Sequence, residues 1–142
     1  MSNNAEELLD RGSALLQPLL LTHGFTYGRL NAGNSSGGQF AAGEFTKGTR
    51  RLEFHFRYSL GLVSYHLEAR SMSHQEYMCA VLGRANASHY PGFSSDPMDA
   101  FRHLRLDLEG YCSDFLEGPD DRLLCRIEDA RTRPCQKVGL PD

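Results

Sequence analysis

His55 and His66 sit at matching positions in two runs of strict apolar and polar alternation. One run is Arg51-Leu-Glu-Phe-His-Phe-Arg-Tyr58 and the other is Val63-Ser-Tyr-His-Leu-Glu-Ala-Arg70. Imidazole together with the carboxylates of Glu53 and Glu68 is a donor set that suits zinc, iron or nickel. Arg51, Arg57 and Arg70 add planar forks of N–H donors that match a carboxylate, a phosphate or a partner protein. Pairing Tyr58 with Val63 sets His55 beside His66, with β-carbons about 5 Å apart. Spacing fixes no third ligand, so no metal and no cofactor is assigned. A mixed-charge surface of Arg51, Glu53, His55, Arg57, His66, Glu68 and Arg70 that binds another protein is the stronger functional reading. The plainer alternative is the wetted side that antiparallel sheets commonly keep.

Other chemistries find less support. Asn31-Ala-Gly-Asn-Ser-Ser-Gly-Gly38 is rich in glycine, but no helix start and no Gly-Lys-Ser or Gly-Lys-Thr follows it, so it reads as a polar connection. No Gly-x-Ser-x-Gly elbow is present, and none of the four cysteines falls at a strand-to-helix turn or in a C-x-x-C pair. Asp120-Asp121 reads as the acidic start of a helix. His89-Tyr-Pro-Gly-Phe-Ser94 reads either as a plug between helices or as the rim of a pocket with polar handles. No reactive constellation is recognisable, which lowers the expectation of enzymatic activity without removing it.

The alternation requires strands with one dry face and one wet face. The dry side would carry Leu52, Phe54, Phe56, Tyr58, Val63, Tyr65, Leu67 and Ala69. Leucines at three- and four-residue steps predict a helix over 5–23, kinked or divided at Pro18 and stopped at Gly24. Strands are expected at 25–30 and 39–46, ahead of the hairpin. Ser73-His-Gln-Glu76 is a capping box opening a helix that ends at Gly83. Asp96-Pro97 opens another over 97–116 with an apolar stripe of Phe101, Leu104, Leu108, Tyr111 and Phe115, and a short amphipathic segment follows at 120–131. The fold class is therefore α+β: a four-stranded antiparallel meander with an N-terminal helix and two or three C-terminal helices on one face. Residues 1–131 form a single domain and 132–142 a flexible tail.

The chain of 142 residues is long enough for one core, and its formal charge of −3 argues against a nucleic-acid binder. No apolar run approaches a membrane span and no secretory signal opens the chain, so a cytoplasmic protein with free thiols is expected.

The leucine-rich helix ending at Gly24-Phe25, the meander, and Leu52-Glu-Phe-His-Phe-Arg57 together resemble small bacterial domains of unknown function, some grouped with immunity proteins of polymorphic toxin systems. The resemblance covers about half the chain. Tyr90-Pro-Gly-Phe-Ser94 and Asp96-Pro-Met-Asp-Ala-Phe-Arg-His-Leu104 depart from it, and it carries no catalytic residues. It implies an architecture and a lean towards an immunity role; the residues themselves point to a non-catalytic module that binds another protein through the polar sheet face, a toxin domain being one candidate and self-association through that face a variant. The competing expectation is a small-molecule or metal site, enzymatic or not, built on His55 and His66.

Overall fold

The leucine periodicity yields α1 (Asn4–Thr22), which runs unbroken through Pro18. Proline inside a helix costs about 3 kcal/mol. Here Leu16 and Leu20 on either side of it are sealed in the core, so packing outweighs that penalty. The helix ends as expected: Gly24 takes φ 88°, and the Phe25 and Gly24 amides bond back to Leu20 O and Leu21 O at 2.9 and 3.0 Å.

The computed structural model describes residues 4–35, 38–57, 60–83, 90 and 96–132. After α1 come β1 (Thr26–Ser35), β2 (Gly38–Lys47), β3 (Arg50–Phe56), β4 (Leu60–Leu67) and β5 (Arg70–Ser73). They form one antiparallel sheet in the order β1-β2-β3-β4-β5, so the meander has five strands and not four. Helices α2 (His74–Leu82), α3 (Pro97–Tyr111), α4 (Ser113–Leu116) and α5 (Asp120–Thr132) complete the α+β arrangement.

Three strand expectations need correction. The segment 31–35, expected as loop, continues β1: Asn31 pairs with Ala42 and Ser35 with Gly38, after a bulge at Leu30. Its Asn, Gly and Ser residues have little β preference alone, and the ladder to β2 supplies what they lack. The fifth strand exists because Glu68 and Ala69 form a tight turn, Glu68 with φ 55°, that returns Arg70 opposite Leu67. Ala69 is consequently exposed and lies off the dry face. The register of the central hairpin also differs: Val63 pairs with Phe54, Tyr65 with Leu52 and His66 with Arg51. Tyr58 lies outside the described residues. Strand β4 already starts at Leu60, and a bulge sets Gly61 and Leu62 together against His55. The displacement is even, so the facing of each side chain survives.

Leu52, Phe54, Phe56, Val63, Tyr65 and Leu67 are accordingly buried. They join one core with Leu9, Leu16 and Leu20 of α1, Tyr77 of α2, Phe101, Leu104 and Leu108 of α3, and Leu123 and Ile127 of α5. The capping box at Ser73 and the Asp96 cap with Pro97 are both formed. The helix expected over 97–116 is interrupted at Cys112, and α4 restarts beyond it. Basic side chains from the β2–β3 turn satisfy the carbonyls at the far end of this restart. Lys47 Nζ donates to Leu116 O at 2.6 Å, and Arg50 Nη1 donates to Asp114 O and Phe115 O at 3.1 and 2.7 Å.

Cys112 and Cys125 are free thiols, but Cys79 is disulfide-bonded, against the expectation of free thiols. That bond is one a reducing cytoplasm does not favour. Among the described residues no helix is long and apolar enough to cross a membrane. The proposed tail at 132–142 lies, apart from its first residue, outside the described part.

Candidate functional site

Antiparallel pairing aligns the outward side chains in rows. One row runs Thr26, Thr46, Arg51, His66, Ser71, and the next Gly28, Glu44, Glu53, Ser64, Ser73. Glu44 thus lies directly opposite Glu53, a pairing of like charges that is unfavourable by itself. Cationic and imidazole groups gather around it. Arg51 Nη2 lies 3.2 Å from Glu53 Oε1, and Arg51 Nε 3.7 Å from Glu44 Oε2. His55 Nε2 lies 2.8 Å from Glu53 Oε2, and His66 Nε2 3.4 Å from Glu53 Oε1. The island is half-submerged: Glu44, Glu53 and His66 side chains are 20, 22 and 21 % exposed, Arg51 and His55 41 and 42 %.

Burial and charge act in opposite directions on these groups. Burial pushes the Glu53 carboxyl up, but the His55 hydrogen bond and the charges of His55, Arg51 and His66 outweigh it, and the net shift is downward. Burial, then Arg51, push the His66 imidazole down, against Glu53 and Glu44. Glu44 Oε2, Arg51 Nε and His66 Nε2 are buried atoms with no hydrogen-bond partner among the described residues. Three such atoms in one island are unusual, since buried polar groups are normally paired.

Of the expected site residues, the fold brings Arg51, Glu53, His55 and His66 together, and Arg57 borders them. Arg57 stacks over Phe40 at 5.5 Å and donates to Gly38 O at 3.1 Å. Glu68 and Arg70 do not belong to the island. Glu68 is in the β4–β5 turn, and Arg70, on the inner-face side opposite Leu67, meets Glu128 of α5 at 3.1 Å. Glu44 was missed because Ala41-Ala-Gly43 gave its strand so weak a pattern. His55 and His66 are not cross-strand neighbours, since His66 faces Arg51 and His55 faces the bulge. Among the described residues no group of three or more His, Cys, Asp or Glu is arranged to hold a metal.

A second polar cluster lies inside the core, and sequence reasoning did not find it. Tyr65 Oη is 2.7 Å from His74 Nδ1, and His74 Nε2 is 2.9 Å from Asp107 Oδ2. The Tyr90 amide donates to the same Asp107 oxygen at 2.9 Å, and Cys112 Sγ lies 3.7 Å from Tyr65 Oη. A carboxylate only accepts, so His74 Nε2 donates to Asp107, and the ring's other nitrogen shares a hydrogen bond with the Tyr65 hydroxyl. The order of groups matches a nucleophile relay, but the surroundings do not. His74 and Asp107 side chains are 3 and 0 % exposed. Burial pushes the Tyr65 hydroxyl and the Cys112 thiol up, holding both protonated and unreactive. The Tyr90 ring packs edge-on to His74 at 5.2 Å, its hydroxyl donates to Leu60 O at 3.0 Å, and burial raises that hydroxyl to about 12. Tyr90 thus plugs inward, while Pro91-Gly-Phe93 lies outside the described residues. The one available signal was positional: Asp107 stands at the flank of the stripe made by Leu104, Leu108 and Tyr111.

Comparison with protein families, curated proteins and solved structures finds no match for this chain.

Proposed function

We propose that this protein is a non-catalytic binding module that engages another protein through the outer face of its sheet. The observation that carries the reading is the island of Glu44, Arg51, Glu53, His55 and His66, interlocked on the sheet face opposite the one that carries the core residues Leu52, Phe54, Val63 and Tyr65. A rigid sheet holds these side chains in fixed order, and their complementary charges favour specificity over bulk affinity. Thr26, Thr46, Ser64 and Ser71 in the flanking rows add polar groups at the edge of the island, as the polar rim of an interface does. The Tyr65–His74–Asp107 chain supports the reading less well, because the His74 and Asp107 side chains are 3 and 0 % exposed. In line with the resemblance to immunity proteins, the partner is a toxin domain neutralised by occlusion.

The test compares the wild-type chain with an Arg51→Glu/His66→Glu variant, both immobilised for capture from cell extract. The expected result is a protein retained by the wild type and reduced by about tenfold or more on the variant, since like-charge juxtaposition at an interface costs several kcal/mol. Circular dichroism confirms that the variant is folded. Identical captured sets and identical solution mass for the two chains would reject the reading.

A further inference from the structure

We propose that the outer face is a pH-sensitive interface: a partner that covers His66 keeps its imidazole unprotonated, so mild acid weakens the complex. The inference rests on the binding reading above and adds its regulation. His66 stands on β4 with Arg51 directly opposite on β3 and Ser71 on β5. The charges that act on it are Arg51 and Glu53 of β3 and Glu44 of β2, while Ser71 and Ser73 on β5 carry none. His55, the other imidazole of the face, bonds to Glu53.

A proton at His66 is costly for reasons visible in the geometry. The side chain is 21 % exposed, and Nε2 has no hydrogen-bond partner among the described residues, although Glu53 Oε1 lies 3.4 Å away. The carboxylates that could balance the added charge are already committed. Glu53 meets Arg51 at 3.2 Å and His55 at 2.8 Å, and Glu44 meets Arg51 at 3.7 Å. Burial first, and Arg51 second, accordingly hold the His66 imidazole down against the pull of Glu53 and Glu44. A partner laid over the face removes the remaining solvent and extends the first of these effects. Proton and partner then compete, because a ligand that disfavours the proton is disfavoured by it to the same degree. His55 is not placed for this role. It is 42 % exposed, and its Nε2 already meets a carboxylate, so a proton there adds charge to an existing contact.

The experiment elutes the protein captured by the immobilised wild-type chain and measures its Kd for the full chain in solution from about pH 7.5 to about pH 5. The His55 and His66 imidazoles of the free chain are followed by 1H–15N NMR over the same range. Kd should rise by about threefold or more at the acidic end, within the roughly tenfold per pH unit that one proton allows. The rise should set in where His66 titrates and not where His55 does. His66→Gln, which takes up no proton, should show a flat Kd whatever its affinity at the starting pH. Where that variant binds too weakly to measure, the coincidence of the wild-type rise with the His66 titration decides. Circular dichroism at each pH shows that the chain stays folded. A Kd unchanged by pH, a rise that follows His55, or a rise kept in His66→Gln overturns the proposal and leaves the binding face standing. Failure to capture any protein at the starting pH removes the binding reading and the proposal with it.

Discussion

A carboxylate that faces another carboxylate across a strand pair stays ionised only where donors surround it, and Glu53 has Arg51, His55 and His66 within 3.4 Å. The same crowding works against His66, whose proton must enter a half-buried site beside Arg51. Its folded value lies below the ordinary imidazole value of 6.5. The unfolded chain therefore binds the proton first, and stability must fall as the pH drops. The His66 contribution is intact above about pH 6.5 and is lost as the pH falls through the depressed folded value. Glu53 acts lower down: its folded value lies below 4.5, so its contribution is intact above that point and is lost as the pH falls through the lower value. Replacing His66 by Gln should remove the first stage and leave the second. Urea unfolding midpoints of both chains from about pH 7.5 to about pH 3 measure the difference. A difference between the two curves that stays constant across the interval below pH 6.5 would show that His66 is not depressed.

At the scale of elements, periodicity revealed facing and left pairing undetermined. Leu52, Phe54, Phe56, Val63, Tyr65 and Leu67 were assigned to the dry side from alternation alone, and all are buried. Alternation fixes only parity, so pairings that differ by an even step are equally consistent with it. The bulge opposite His55 then decided among them. The strand Arg70-Ser-Met-Ser73 has a single large apolar residue, Met72, and became visible only through its ladder to β4. Contacts between helices are still less legible. Gly12 reads as a weak point in α1, where glycine costs about 1 kcal/mol relative to alanine. In the fold it is the crossing point of α1 and α3, and a Cβ at Gly12 would overlap the Phe101 ring. Gly12→Ala should thus destabilise by about 1–3 kcal/mol, the usual effect of overpacking, instead of stabilising by propensity. A chemical denaturation curve gives the sign directly. A Gly12→Ala chain more stable than wild type would mean that the helices do not pack this closely.

For the molecule as a whole, the buried chain of Tyr65, His74 and Asp107 joins the sheet, α2 and α3 at one point, and Tyr90 adds the segment between the two helices. Neither key residue was visible as such, because His74 sits inside a capping motif and aspartate on a helix is ordinarily read as solvent-facing. A structural joint and a reactive relay respond differently to paired replacement. Asp107→Ala strips the acceptor from both the His74 Nε2–H and the Tyr90 amide where the His74 and Asp107 side chains are 3 and 0 % exposed, and it should cost about 3 kcal/mol or more. Replacing both partners with apolar groups of similar size, as in His74→Phe/Asp107→Leu, removes the His74 donor along with its acceptor and leaves only the Tyr90 amide without that oxygen. The Tyr65 hydroxyl keeps Cys112 Sγ at 3.7 Å as its remaining neighbour. The double variant should therefore lose less stability than the sum of its single changes, a coupling of about 1–3 kcal/mol between residues in one network. If the chain is only a joint, the double variant also keeps full capture of the partner through the outer face, since that face lies on the far side of the sheet from it. Strictly additive stability losses would show that the three side chains are not a single network. A folded double variant that no longer captures the partner would tie the interior to the binding face.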